Sequence, residues 1–277
     1  MTQLPAAPPR PLALVTGASS GIGAAFAREL AARGHDLALV ARREDRLMAL
    51  ADELSAAHGV ECRVIPADLS PPGAEQAVLE AARQGGRRVS VLVNAAGYSI
   101  PQSFADVPWA AQRDFLMTLV VSACGLAWGA VRDMVELGEG RIINVASLAG
   151  FSPGVAGHSL YPGAKSLSIK LSQALDAEYR ARGVRVTATC PGFTQTEFAQ
   201  ANGTDQIMAE TPRLLFLTPE QVVAATMRAN DRGKVVVCPG WHSALAAGLM
   251  QYLPQGLVRW AIMKGSARYH LSPEEPA

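Results

Sequence analysis

The chain has almost no excess of either charge. Its 25 Lys and Arg face 24 Asp and Glu, for a formal net charge of +1. A nucleic-acid-binding domain carries a basic face, so that class is set aside. Cysteine is sparse too: Cys62, Cys124, Cys190 and Cys238 are widely scattered with no C-x-x-C pair. That excludes a disulfide frame or metal site and reads as ordinary buried thiols in a reducing, cytoplasmic compartment. Residues 1–11, ending Pro8-Pro9-Arg10-Pro11, lack an apolar signal core and read as a loose tail. The charge-free stretch 117–131 is too short for a comfortable membrane span and reads as a buried helix.

What is present alternates. Apolar runs at 12–16, 36–41, 62–66, 89–94, 141–146, 184–190 and 235–238 are separated by helical stretches near 21–33, 43–57, 73–84, 106–137, 159–181 and 219–230. Strands that are apolar throughout are buried on both faces, which predicts an α/β, doubly wound parallel sheet of about seven strands with helices on both sides. No repeat or interior linker interrupts 12–240, which reads as one domain. Segment 193–218 is a candidate flap. The extension 241–277 begins inside a run, 235–258, that has no Lys, Arg, Asp or Glu. It reads as a lid, a subunit contact or a lipid-touching surface.

The first strand runs into Thr16-Gly17-Ala18-Ser19-Ser20-Gly21-Ile22-Gly23. A strand that turns on glycines into a helix presents free backbone N–H groups and the positive end of a helix dipole, a place for the pyrophosphate of a dinucleotide. Gly17, Ser19, Ser20, Gly21, Ile22 and Gly23 are the candidate cofactor contacts. Further on stand Ser147 and then Tyr161-Pro162-Gly163-Ala164-Lys165. Positions four apart share a helix face, so the Tyr161 hydroxyl and the Lys165 ammonium can approach, and Pro162 is tolerated in a first turn. A nearby cation pulls a phenol down from its usual value of about 10 and makes Tyr161 a usable proton donor or acceptor.

With these blocks together, the chain resembles the short-chain dehydrogenase/reductase family over about residues 12–240. The blocks occur in the family's order: Thr16 to Gly23, Asn94-Ala95-Ala96-Gly97, Ser147 with Tyr161 and Lys165, and Cys190-Pro191-Gly192 followed by Phe193-Thr194. The resemblance implies that Tyr161 is the general acid or base at a carbonyl or hydroxyl and that Ser147 holds the same oxygen. It implies that Lys165 lowers the tyrosine pKa and binds the nicotinamide ribose, and that Thr194, after Pro191 and Gly192, contacts the nicotinamide amide. It places the block from Asn94 through Ala95 and Ala96 to Gly97 beside the cofactor, and Asp68, with Leu69, near its adenine. Asp68 also reads as a residue that shapes a turn. The chain departs from the family in three places. Ser147 and Tyr161 are one position further apart than usual, Ala95 replaces a second Asn, and Leu119 falls where the family places a relay Asn.

No carboxylate ends the second strand, which closes Leu39-Val40-Ala41-Arg42-Arg43. An acidic residue there would hold ribose hydroxyls; arginines there suit a 2′-phosphate. This predicts NADP(H), with Arg42 the leading contact, Arg43 beside it and Ser19 as helper. Tyr98, Phe151, His158, Phe193 and Phe198 are candidate pocket walls beside Tyr161, each also readable as core. An aromatic pocket suits a hydrophobic ketone, aldehyde or secondary alcohol. The resulting expectation is an NADP(H)-dependent carbonyl reductase or alcohol dehydrogenase, with a non-catalytic cofactor-binding protein as the alternative. The family resemblance also implies a homo-oligomer.

Overall fold

The computed structural model describes residues 10–154, 156–197 and 212–266. Seven strands form one sheet: β1 (Leu12–Thr16), β2 (Asp36–Ala41), β3 (Cys62–Pro66), β4 (Val89–Asn94), β5 (Gly140–Val145), β6 (Val184–Thr189) and β7 (Val236–Val237). Their order is β3-β2-β1-β4-β5-β6-β7, and every pairing is parallel. The predicted doubly wound sheet is therefore present. The chain enters mid-sheet, runs outward to β3, then returns to β4 and runs outward the other way. That reversal opens a crevice at the C-terminal ends of β1 and β4.

The helices are α1 (Gly21–Ala32), α2 (Glu44–His58), α3 (Ala74–Ala82), α4 (Trp109–Leu116), α5 (Ser122–Leu137), α6 (Tyr161–Tyr179), α7 (Pro219–Asp231), α8 (Trp241–Tyr252) and α9 (Gln255–Ser266). Alternate residues of each central strand serve opposite layers, since successive side chains point to opposite faces. Ala13, Val15, Leu37 and Leu39 pack with α1, α2 and α7, through Phe26, Leu30, Leu47, Leu54 and Met227. Leu12, Leu14, Ala38 and Val40 pack with α3, α5 and the end of α6, through Leu79, Leu126, Met134 and Tyr179. Two buried layers explain strands with no polar alternation.

The single helix expected at 106–137 is broken. A 3₁₀ turn (Phe104–Asp106) precedes α4, and a π-turn (Met117–Val121) joins α4 to α5. The span Trp109–Leu137 is long and apolar enough to cross a membrane by length and composition. Here Leu126, Ala127, Ala130, Val131 and Met134 seat it on the sheet. Asp133 of α5 receives both arms of Arg83 at 2.9 Å and the N–H of Val89 at 3.0 Å, joining α3, α5 and β4.

One further expectation needs correction. Only Cys190 of the four free thiols is fully buried; Cys62, Cys124 and Cys238 are half-buried. In the extension, Trp241, Leu245, Leu249 and Tyr252 of α8 are exposed, while Ser243 and Ala247 of α8 are buried. The candidate flap lies partly outside the described residues. Its two ends are joined by a bridge between Thr194 and Leu217.

Candidate active site

Sterics fix the glycine loop. Gly17 has φ +66°, and a Cβ there would lie 2.8 Å from the Ala95 carbonyl. A Cβ on Gly23 would lie 2.2 Å from the Gly17 carbonyl oxygen. The loop thus folds against itself and against the segment Asn94 to Gly97. Thr16 Oγ1 ties the two together, accepting from the N–H groups of Ala95 (3.0 Å) and Ala96 (3.1 Å) and donating to the Val93 carbonyl (3.3 Å). Ile22 packs inward against the core. Helix α1 starts at Gly21 with no side-chain cap from Ser20, so its first N–H groups face the crevice uncapped. This bare-backbone cradle fits a pyrophosphate.

The two arginines after β2 go to different places. Arg43 reaches the loop, donating to Ser19 Oγ at 3.1 Å and to Ser20 Oγ at 2.8 Å. Arg42 lies near Tyr98, where it offsets part of the upward shift that burial imposes on that phenol. The two residues follow one another at a strand end, so their side chains diverge. Ser19 and Ser20 both accept from the Arg43 guanidinium. The Arg43–Ser19–Ser20 cluster fits a phosphate, and a carboxylate, Glu197, already sits on it: Arg43 Nη1 is 2.9 Å from Glu197 Oε2, and Arg46 Nη1 is 2.7 and 2.8 Å from its two oxygens.

Ser147, Tyr161 and Lys165 are positioned by β5 and α6. Ser147 follows β5 and caps the 3₁₀ turn Leu148–Phe151, its Oγ accepting from Ala149 N at 3.1 Å. The Leu148 N–H donates to the Pro191 carbonyl at 3.0 Å, which brings this turn against Pro191 and Gly192. Tyr161 is the first residue of α6, with Pro162 in its first turn. Lys165 Nζ lies 5.6 Å from the Tyr161 ring centre and donates to the Val145 carbonyl at 2.8 Å. Burial pushes the Lys165 ammonium down from its usual value to about 8. A lysine poised this way exchanges its proton near neutral pH.

Leu119 sits in the π-turn, buried, and would contact a side chain at Gly97 that also lay 3.7 Å from Lys165 Nζ. Thr118, Leu119, Asn94, Asn144, Ser168 and Lys165 are among the residues lining a cavity with about 20 Å³ for the centre of a water molecule. One water needs roughly 10–15 Å³ by that measure. Asn94 also bolts the sheet, donating to Asn144 Oδ1 (2.9 Å) and the Ala123 carbonyl (3.1 Å), while its own Oδ1 has no hydrogen-bond partner.

The other expected residues divide. Asp68 shapes a turn, accepting from Ser70 N at 2.9 Å, and Leu69 is buried with its carbonyl held by Ser122. Thr194 is buried beside Gly192, whose carbonyl accepts from its hydroxyl at 3.3 Å. Among the wall candidates, His158 stands beside Tyr161, its ring centre 6.0 Å from that of the tyrosine and its pKa lowered to about 4 by burial. Tyr98 stands edge-on to Phe115 at 5.5 Å, next to Ile100 and Leu160. Phe193 is exposed and pairs with Phe216 at 5.7 Å. Phe151 takes the core alternative, packing partly buried on Ala146, Ile169, Ala188 and Cys190. Phe198 lies outside the described residues.

Sequence reading missed Arg46, Glu197, Phe216 and Ser243. Arg46 was findable, since it stands in the first turn of α2, three positions beyond the N-cap Arg43. Ser243 has no local signal; a Cβ on Gly192 would lie 2.7 Å from its Oγ, so α8 closes on the Pro191–Gly192 turn.

A parallel sheet with a glycine cradle at its switch point and a Ser, Tyr and Lys beside it defines an oxidoreductase fold of the dinucleotide-binding class. The sequence profile of the short chain dehydrogenases matches residues 11–207, and the chain belongs to that family. It is 35% identical over 194 residues to the very-long-chain 3-oxoacyl-CoA reductase of Anas platyrhynchos; the match spans 68% of this chain and 61% of that protein. Among solved structures, a short-chain dehydrogenase from Sphingobium yanoikuyae in complex with NADPH superimposes with a TM-score of 0.76 at 33% identity, covering 88% of this chain and 97% of that one. A bulky-bulky ketone specific alcohol dehydrogenase from Comamonas testosteroni gives 0.72 at 29% identity, covering 88% and 95%.

Proposed function

We propose that the protein is an NADP(H)-dependent carbonyl reductase or alcohol dehydrogenase acting on hydrophobic ketones, aldehydes or secondary alcohols. The observation that carries this is Lys165, buried, held by Val145 and 5.6 Å from the Tyr161 ring, next to a glycine cradle with an arginine-lined anion site. The cofactor, when bound, supplies or accepts the hydride. Tyr161 gives its hydroxyl proton to the carbonyl oxygen in reduction and takes it back in oxidation, while Ser147 Oγ hydrogen-bonds the same oxygen. Lys165 favours the tyrosinate by its charge. With Leu119 in place of a relay Asn, Lys165 meets solvent protons through the small polar cavity at its back.

The apolar surroundings of Tyr161 (Tyr98, Ile100, Phe115, Leu160) support a hydrophobic substrate. The test follows NADPH absorbance with aromatic, aliphatic and steroid ketones and a 3-oxoacyl thioester, for wild type and Tyr161→Phe. The variant is expected to bind NADPH and to lose about two orders of magnitude or more in kcat, the lower end of what proton transfer contributes. Unchanged turnover removes Tyr161 from the mechanism. Leu119 favours a second reading, a non-catalytic cofactor-binding sensor, and NADPH binding with no turnover on any member of the panel would establish it.

Two surfaces support partners. Trp109, Val121 and Trp128 are exposed along α4, the π-turn and α5, an apolar face suited to a second copy. Trp128→Glu is expected to shift the mass in sedimentation equilibrium toward monomer, and an unchanged mass would reject that face. Exposed Trp241, Leu245, Leu249 and Tyr252 recur along one side of α8, which suits lipid contact. Co-sedimentation with vesicles that is unaltered by Trp241→Ser and Leu245→Ser together would dismiss it.

A further inference from the structure

Glu197 belongs to the segment after β6, three positions beyond Thr194, whereas its partners Arg43 and Arg46 open α2. It lies 154 positions from Arg43, so this bridge is no local helix pair. The Arg43 guanidinium is shared: Nη2 donates to Ser19 and Ser20 in the glycine loop, and Nη1 to the Glu197 carboxylate. Arg46 Nη1 contacts both Glu197 oxygens. The three side chains are 42–45% exposed, so the cluster sits where an incoming ligand reaches it. A carboxylate held by two guanidinium groups, beside hydroxyls, occupies the geometry that phosphate oxygens take. The arginines also hold the Glu197 carboxyl below its usual range, the hydrogen bond from Arg46 being the main cause. It is therefore charged at neutral pH.

We infer that Glu197 is a built-in competitor for the cofactor's 2′-phosphate, and that Arg46 is a phosphate contact alongside Arg43. This rests on the NADP(H) reading above. Two anions repel at one site, so the phosphate takes the arginines only when Glu197 leaves them. A cofactor without the 2′-phosphate leaves the bridge intact. Glu197 thus lowers affinity for the phosphorylated cofactor alone, and Arg46 raises it. The pair sets how strongly the protein discriminates between the two nicotinamide dinucleotides.

Titration calorimetry on the full-length protein tests this without turnover, using NADPH, NADH, adenosine 2′,5′-bisphosphate and 5′-AMP. Exposed ion pairs are individually weak, so Glu197→Gln is expected to tighten NADPH and the bisphosphate by about three- to tenfold and leave NADH and 5′-AMP within about twofold. Arg46→Ala is expected to weaken the two 2′-phosphorylated ligands by a similar factor and spare the others. Glu197→Gln binding NADPH no tighter than wild type, or tightening all four ligands alike, overturns the inference. Arg43→Ala separates this from the wider reading. If that variant loses the NADPH preference while Glu197→Gln does nothing, the competitor role alone falls; if neither variant changes the preference, the 2′-phosphate assignment falls with it.

Discussion

The buried Lys165 makes a prediction whose size follows from its surroundings. Its ammonium is 8% exposed, and burial lowers its pKa from an ordinary 10.5 to about 8. In the unfolded chain it keeps the ordinary value, so between pH 8 and 10.5 the unfolded state binds more protons and stability rises with pH. Below pH 8 both states are protonated, and the folded state bears the whole cost of burying the charge. That cost is about 3 kcal/mol at 1.36 kcal/mol per unit. Lys165→Met removes both the charge and its titration. The variant's stability advantage, whatever its value at pH 7, should therefore shrink by about 2 kcal/mol by pH 9.5. Urea unfolding of cofactor-free wild type and variant at pH 7.0, 8.5 and 9.5 measures it, and subtraction cancels the other titrating groups. A difference that stays flat across this range would show that Lys165 titrates normally, and the proton exchange argued for it near neutral pH would be lost.

Three shorter predictions follow from the same geometry. Gly23→Ala forces a methyl to 2.2 Å from the Gly17 carbonyl; it should destabilise the fold by about 1–3 kcal/mol and weaken NADPH binding, as read by denaturation and calorimetry. Gly163→Ala, with open space around it in α6, serves as the contrast and should be neutral or stabilising by about 0.5–1 kcal/mol. Burial holds the His158 pKa near 4, below its ordinary value, so protonating it costs stability as pH falls from about 6.5 toward 4. His158→Gln should flatten that part of the pH–stability curve by roughly 1–3 kcal/mol, and an unchanged slope would mean that His158 is not the group responsible.

The sheet was legible because its strands are sandwiched: apolar runs with no polar alternation have one architectural outcome, and β1 to β4 fall where the runs predict. The π-turn at Met117–Val121 left no mark, since an extra residue in a helical turn does not alter composition. The choice between Arg42 and Arg43 was not readable, because neighbouring side chains diverge and only the path of the strand end decides which one faces Ser19. Phe151 shows the same limit, since an aromatic after an apolar run reads alike as pocket wall or core. Glu197 was invisible for another reason: its partners are brought to it by the whole fold.

The hydroxyl of Thr16 carries a wider consequence. Pairing between β1 and β4 ends at Val15 and Val93, although the two segments stay in close contact beyond that point, at Gly17 and Ala95. The amides of Ala95 and Ala96 lie past the last ladder pair, and one oxygen atom answers for both. Valine at this position would match the shape and strand both amides, so the tie between the glycine loop and the end of β4 depends on a β-hydroxyl.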